Sequence, residues 1–375
     1  MEPQVTAARR MCVAFALALA SASPAFAFEI LTPASTPCHE RITLGAFDLI
    51  DGPFARSDDP SLTDLLMTLT ARVKEMGVPQ DRITRGAIAQ VSDVYDLEEF
   101  DLATRYVLIS LMIGIRDPDT RGFSVVRVNV TRSTHIDDAL QAGHSLRRIQ
   151  DDGEPGNATA IANVRRYQSK KLRAIHAQWH SSDQTMSTVW TFPFYGEQDV
   201  RVFGPAFNLG VMVHGIQDAF THTLRDDDAR IVSVLNFAES STGKHSEGRD
   251  GLAHSPRLDM CDIENNEFDQ LRVNLAQTAT INVLLAVASV LEDETYDGAP
   301  FEAELDSIYD LRLGCDLSNQ YCANGWVSTA RTNLTEPIDV GCQAVAGDSG
   351  HHSPLLVLLV ILLAASLRRQ TRRTP

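Results

Sequence analysis

The chain has 375 residues, a net charge of −16 and 44% apolar side chains, enough to bury a sizeable core in one or two domains. The acid excess repels polyphosphate backbones and provides no basic stripe of the kind a general nucleic-acid binder needs. A nuclease whose metal ions supply positive charge locally is not excluded on this ground.

Residues 1–27 read as a secretory signal peptide: Arg9 and Arg10, an apolar run over 11–20, and the small-residue ending Ala25-Phe26-Ala27. Cleavage is expected after Ala27, leaving Phe28 as the new N-terminus. Apolar residues at three- and four-residue spacing then predict helices over 38–50, 61–76 and 97–113. Asp59-Pro60-Ser61 and Ser92, Asp93 and Asp96 offer capping side chains ahead of such runs. The segment 114–122 reads as a loop presenting Asp117 and Asp119, two carboxylates suited to a metal or a proton. A plain turn with Asx hydrogen bonding is the commoner use of such residues. Thin β signals follow at 123–130 and 189–194, and a further helix is expected over 158–180.

His214, Asp218 and His222 recur every four residues after the apolar run 207–213. On one helix they share one face, and two imidazoles with a carboxylate on a rigid element suit zinc first among borderline divalent metals. The competing reading is a core helix whose polar groups are satisfied locally. His254 and Asp259 then precede a long helix expected over 268–292. His144, beside Arg147 and Arg148, reads as a surface or outer-shell residue. His176 and His180 read as part of a solvated helix face, and His245 competes with His254 as the late ligand.

Of the six cysteines, Cys12 leaves with the signal peptide and Cys342 lies in the tail. Cys38, Cys261, Cys315 and Cys322 remain, and three pairings are possible. The close spacing of Cys315 and Cys322 favours a small loop between them, which leaves Cys38 with Cys261 and brings His39 toward His254. Near the end, an apolar run of 13 residues (355–367) precedes Arg368, Arg369, Arg372 and Arg373. As a helix it covers about 20 Å, short of the ~30 Å hydrocarbon core, and the arginines fit a cytoplasmic stop.

The expected organisation is therefore a signal peptide (1–27), one mainly α exported domain with long loops (28–341), and a tail (342–375). The tail, with its cysteine, spacer, apolar run and arginines, resembles the C-terminal sorting tails of myxobacterial surface proteins. The resemblance implies sorting machinery as a partner, membrane contact through the apolar segment, and a location at the cell surface, in the outer envelope or in the medium.

The order His39, Asp119, His135, His214/Asp218/His222, His254/Asp259 resembles the zinc-dependent phospholipase C and single-strand nuclease superfamily, exported all-helical proteins with three zinc ions in a cleft. The match spans about 39–292, and His39-Glu40-x-Ile42-Thr43-x-x-Ala46 matches a common form of the first His motif. The resemblance implies up to three zinc ions, a phospholipid or other phosphoester substrate, and those eight residues as ligands, with Asp119 or Asp117 also a candidate general base. Here His222 follows Asp218 by four residues rather than the superfamily's longer interval. The last pair is more widely spaced, and Phe28 stands where an N-terminal Trp is usual. A non-catalytic surface protein that keeps the fold is the alternative. A metallopeptidase and a serine hydrolase find no support, because His-Glu-x-x-His and Gly-x-Ser-x-Gly are both missing from the sequence.

Overall fold

The computed structural model describes residues 38–329, except 51, 56–60, 124–133, 152, 193–195, 238–245, 253, 255, 260 and 262–265. The signal peptide, Phe28, the tail with Cys342, His245 and nearly all of the strand expected at 123–130 lie outside the described residues.

The described chain is mainly helical. Its longer elements are α1 (Cys38–Ala46), α2 (Ser61–Met76), α3 (Arg82–Val94), α4 (Leu102–Thr120), α5 (Gly153–Trp179), α6 (Gly204–Asp218), α7 (Glu267–Glu292) and α8 (Ala299–Ile308). Two antiparallel ribbons interrupt them. In the first, β1 (Thr185–Phe192) pairs with β2 (Gly196–Phe203), with Thr185 opposite Phe203. In the second, β3 (Thr223–Arg225) pairs with β4 (Ile231–Val234).

Several boundaries differ from those read in the sequence. Helix α3 was not foreseen, because its stripe of Ile83, Ala87, Ile88 and Val91 is diluted by Arg, Thr and Gly. Its start is set by Asp81, whose side chain accepts a hydrogen bond from the Thr84 amide at 2.8 Å. The next helix begins at Leu102 rather than 97, since Asp101 caps it through the Thr104 amide at 2.9 Å. Asp96 instead takes a left-handed conformation, with φ 53°, just after α3.

The largest correction concerns 114–122. Helix α4 runs through Pro118 to Thr120, so Asp117 and Asp119 sit on a helix and not on a loop. A proline inside a helix costs about 3 kcal/mol. Burial of Ile109, Met112, Ile113 and Ile115 on the same helix, at roughly 1.5–3 kcal/mol per side chain, outweighs it. The helix stops one residue later, where Arg121 turns left-handed (φ 49°) and its amide donates to the Asp117 carbonyl at 2.7 Å.

Helix α6 is the centre of the fold. Fourteen of its residues, Gly204 to Ala206 and onward to Asp218 with only Asn208 excepted, are buried, as expected of a helix apolar on every side. It packs against α4, α5, α7 and α1. The α4 contact is backbone to backbone: a Cβ on Gly114 would stand 2.0 Å from the Phe207 carbonyl oxygen, and one on Gly210 2.2 Å from the Leu111 carbonyl oxygen. These glycines let the two helices close on each other one turn before Asp119 and His214. Helix α7 is long and apolar enough to cross a membrane, yet most of that stretch is buried against the other helices, as in a core helix.

Both cysteine pairs favoured by the sequence stand at disulfide distance, with Cα separations of 6.1 Å for Cys38–Cys261 and 5.1 Å for Cys315–Cys322. Two such bonds fit an oxidising compartment.

Candidate metal centre

Helix α6 ends at Asp218, so His214, Asp218 and His222 do not share one helix as the spacing predicted. The His222 amide still donates to the Asp218 carbonyl at 2.8 Å, which keeps His222 within one helical turn of reach. The buried Arg225 fixes this turn. Its guanidinium donates to the carbonyls of Ala219 (2.9 Å), Ala229 (2.7 Å) and Ile308 (3.1 Å), while β3 begins immediately after His222.

Around the end of α6 the fold gathers His39 from α1, Asp119 from α4, and His135 and His144 from the segment between α4 and α5. His254 and Asp259 join them from the segment before α7. Four groups of three side chains place their ligand atoms within 4.8 Å of one another: His39/Asp119/His214, Asp119/His135/His144, His144/His214/Asp218 and His222/His254/Asp259. All are buried. All eight ligand positions singled out in the sequence thus fall in one cluster. Asp117 belongs to none of these groups among the described residues.

The separations suit a shared cation. His214 Nε2 is 3.0 Å from Asp218 Oδ2 and 3.6 Å from Asp119 Oδ1, and His135 Nε2 is 3.1 Å from Asp119 Oδ1. His39 Nε2 lies 3.3 Å from Asp218 Oδ1, and His222 Nε2 lies 3.8 Å from Asp259 Oδ1. Ligands on a tetrahedral zinc ion, each about 2.0–2.1 Å from it, stand about 3.3 Å apart.

A second test of fit lies in the partners behind the ligands. Gln217 donates through Nε2 to Thr43 Oγ1 (2.9 Å) and Thr280 Oγ1 (3.2 Å), which turns its Oε1 toward His39 Nδ1 at 2.7 Å. His39 therefore donates from Nδ1 and points Nε2 into the cluster. His222 donates from Nδ1 to the His144 carbonyl, leaving Nε2 toward Asp259. Arg272, buried at the start of α7, donates to the Leu258 carbonyl and pairs with Asp269 at 2.6 Å, holding the turn that carries Asp259. Imidazoles that donate one N–H to a neighbour and aim the other nitrogen at a common point are typical of metal ligands. Both oxygens of Asp119, Nε2 of His222 and Oδ2 of Asp259 have no hydrogen-bond partner among the described residues, a costly state for buried polar atoms unless an ion is bound there.

Burial would push Asp119 up, but the His214, His135 and His144 imidazoles prevail and hold it at about 2; Asp218 is likewise carried well below its usual range. Burial pushes His222 and His254 down to about 3 and His144 to about 4, so all three are neutral, with lone pairs available. His39 moves the other way: burial lowers it, yet the Asp218 carboxylate carries it up to about 9. Asp259 rises well above the usual carboxylate range through burial and the nearby Asp218 charge. A divalent cation would supply the charge that favours ionised carboxylates here. Asp117 is raised to about 6, again chiefly by burial.

Two readings of the remaining histidines change. His144 is fully buried inside the cluster, not on the surface. His176 is buried and bonded through Nε2 to the Asp293 carbonyl at 3.0 Å, while its neighbour His180 is exposed. Neither joins the ligand groups. Gln217 and His144 were the residues sequence reasoning missed, since neither lies in a recurring spacing with the other ligands. Comparison of the chain with protein-family models, curated proteins and solved structures gives no match.

Proposed function

We propose that this chain is an exported metal-dependent hydrolase, a zinc phosphodiesterase acting on a phospholipid or a related phosphoester. The observation that carries the reading is the convergence of His39, Asp119, His135, His214, Asp218, His222, His254 and Asp259 from segments spread over the whole helical domain. Gathering scattered ligands costs chain entropy, which a purely structural zinc avoids by using a compact local motif. Their order along the chain is the one that resembles the zinc-dependent phospholipase C and single-strand nuclease superfamily. Bound zinc, up to three ions, would supply an acidified water and neutralise charge on the phosphoryl oxygens.

The chain's own residues divide the work. Asp218 turns Oδ1 toward His39 (3.3 Å) and Oδ2 toward His214 (3.0 Å), which suits a carboxylate shared between two ions. Asp119, inside the ligand groups, acts as a ligand. Asp117, on the same helix and raised to about 6 chiefly by burial, is the candidate proton acceptor, with Asp119 the alternative. The signal-type N-terminus and the two disulfides support export, and the apolar tail with its arginines holds the protein at a membrane until sorting machinery acts on it. One observation favours a second reading, a surface protein whose metal serves stability alone: the ligand side chains are at most 2% exposed.

The test is a panel of phosphodiesters and phosphocholine esters given to the purified zinc-loaded protein. Hydrolysis that is lost with chelator, restored by zinc, and reduced in Asp117→Asn at unchanged zinc content is the expected result. A folded, zinc-loaded protein that turns over nothing in the panel selects the surface-protein reading.

A further inference from the structure

Helix α5 lies against two segments of the buried cluster at glycines. A Cβ on Gly215, next to His214, would stand 2.5 Å from Gln168 Nε2, and one on Gly143, next to His144, would stand 3.3 Å from the Tyr167 hydroxyl oxygen. Lys171 follows these two α5 residues by three and four positions, so it shares their face one turn further on. Side chains on a helix lean toward its N-terminus, and Lys171 does so: its Nζ stands 5.6 Å from the centre of the Tyr167 ring. Gln168 is fully buried, whereas Tyr167 and Lys171 are half-buried. This face of α5 therefore passes from the core beside His214 to solvent within one turn.

Lys171 has no contact counter-ion. Among the described residues no carboxylate stands within ion-pair distance of its ammonium, in contrast to Lys74, which pairs with Asp101 at 2.7 Å. Its charge acts at longer range instead. After burial itself, Lys171 is the strongest influence on the Asp117 carboxylate of α4, ahead of Arg121 and His214. A half-buried cation without a partner carries a desolvation cost that an incoming anion offsets, and a lysine ammonium binds phosphoryl oxygens as a point charge.

The same ammonium decides what the neighbouring ring can bind. An aromatic face is a usual cradle for a quaternary ammonium. Here the Tyr167 ring already has the Lys171 ammonium beside it, and that charge also opposes Asp117. A second cation placed there meets like-charge repulsion.

We propose that Lys171 is a specificity-determining residue: it receives a phosphoryl oxygen of the substrate and excludes a head group that carries a cation, so the preferred substrate is a net-anionic phosphodiester and not a phosphocholine ester. The inference rests on the phosphodiesterase reading of the metal centre and narrows its substrate class.

The test gives the zinc-loaded full chain two short-chain lipids with the same tails, phosphatidylglycerol and phosphatidylcholine, which differ in whether the head group carries a cation. A dinucleotide phosphodiester is run in parallel; turnover of either anionic substrate in preference to phosphatidylcholine supports the inference and tells a lipid from a nucleotide source. Lys171→Met, which keeps the apolar stem, should reduce that preference in kcat/KM by about 10–100-fold, the worth of one hydrogen bond to a charged group, chiefly through KM and at unchanged zinc content. Lys171→Arg should restore most of it and guards against a folding failure of the methionine variant. Calorimetric binding of the two head-group products, glycerol phosphate and phosphocholine, should show the same preference and the same loss. A zinc-loaded protein that hydrolyses no phosphodiester overturns the functional reading and this inference together. Hydrolysis that does not favour the anionic substrates overturns the inference alone, and so does a preference that Lys171→Met leaves unchanged.

Discussion

The Cys38–Cys261 bond should be worth far more than the Cys315–Cys322 bond, and its loss should reach the metal cluster. It links positions 223 apart, against 7 for the other pair. Loop-closure entropy in the unfolded chain then gives about 5 kcal/mol for the long loop and about 2 kcal/mol for the short one. The long link joins Cys38, next to His39, to Cys261, two residues beyond Asp259. Replacing both cysteines of each pair by alanine avoids stray thiols. Denaturant unfolding of the chelated variants then reads the chain-entropy difference without the metal contribution, and zinc content is measured separately on untreated protein. The long-range variant should lose several kcal/mol and part of its zinc; the short-range variant should lose about 2 kcal/mol and keep its zinc. Equal losses, or a larger loss from the short pair, would refute the reasoning.

Chelation should destabilise the protein without any mutation, since an ion that binds only the folded state contributes about 4 kcal/mol per site at a thousandfold excess over Kd. Thermal unfolding with and without chelator checks this, and an unchanged transition would count against a bound metal. Gly210→Ala should cost at least 1–3 kcal/mol, as overpacking typically does, because its Cβ would stand 2.2 Å from the Leu111 carbonyl oxygen and 2.7 Å from the Ile115 amide nitrogen. Gly248→Ala is the control, since nothing lies within 4 Å of its Cβ; equal stability of the two variants would argue against the close α4–α6 contact.

Periodic signals were legible and interrupted ones were not. Helices α2 and α7 stand within a residue of their expected limits because their apolar stripes are long and begin at clear breaks. The strand signal at 189–194 marked half of a hairpin, but β2 (Gly196–Phe203) was missed: its acidic and basic residues hide Val200, Val202 and Phe203, which are buried only through tertiary packing. Pro118 and the neighbouring glycines suggested a loop at 114–122, and the packing of α4 on α6 overrode that local preference. The same packing explains why Asp119 is fully buried while Asp117 is only half-buried.

Ligand order and ligand geometry are different kinds of information. His214, Asp218 and His222 could be found because four-residue spacing has a direct spatial meaning, even where the helix stops early and a single hydrogen-bonded turn completes it. His39, Asp119, His135, His254 and Asp259 have no such local meaning; only their order along the chain pointed to them, and the fold supplies their meeting point. His144 had neither signal. Its place depends on a left-handed residue at 145, a glycine at 215 that lets a turn sit on a helix, and a hydroxyl that ties the two. Each is a property of backbone approach between segments 70 residues apart. Residues of this kind become visible only when the segments that hold them are in contact, and here that contact puts a sixth imidazole in the buried groups that could hold a metal ion.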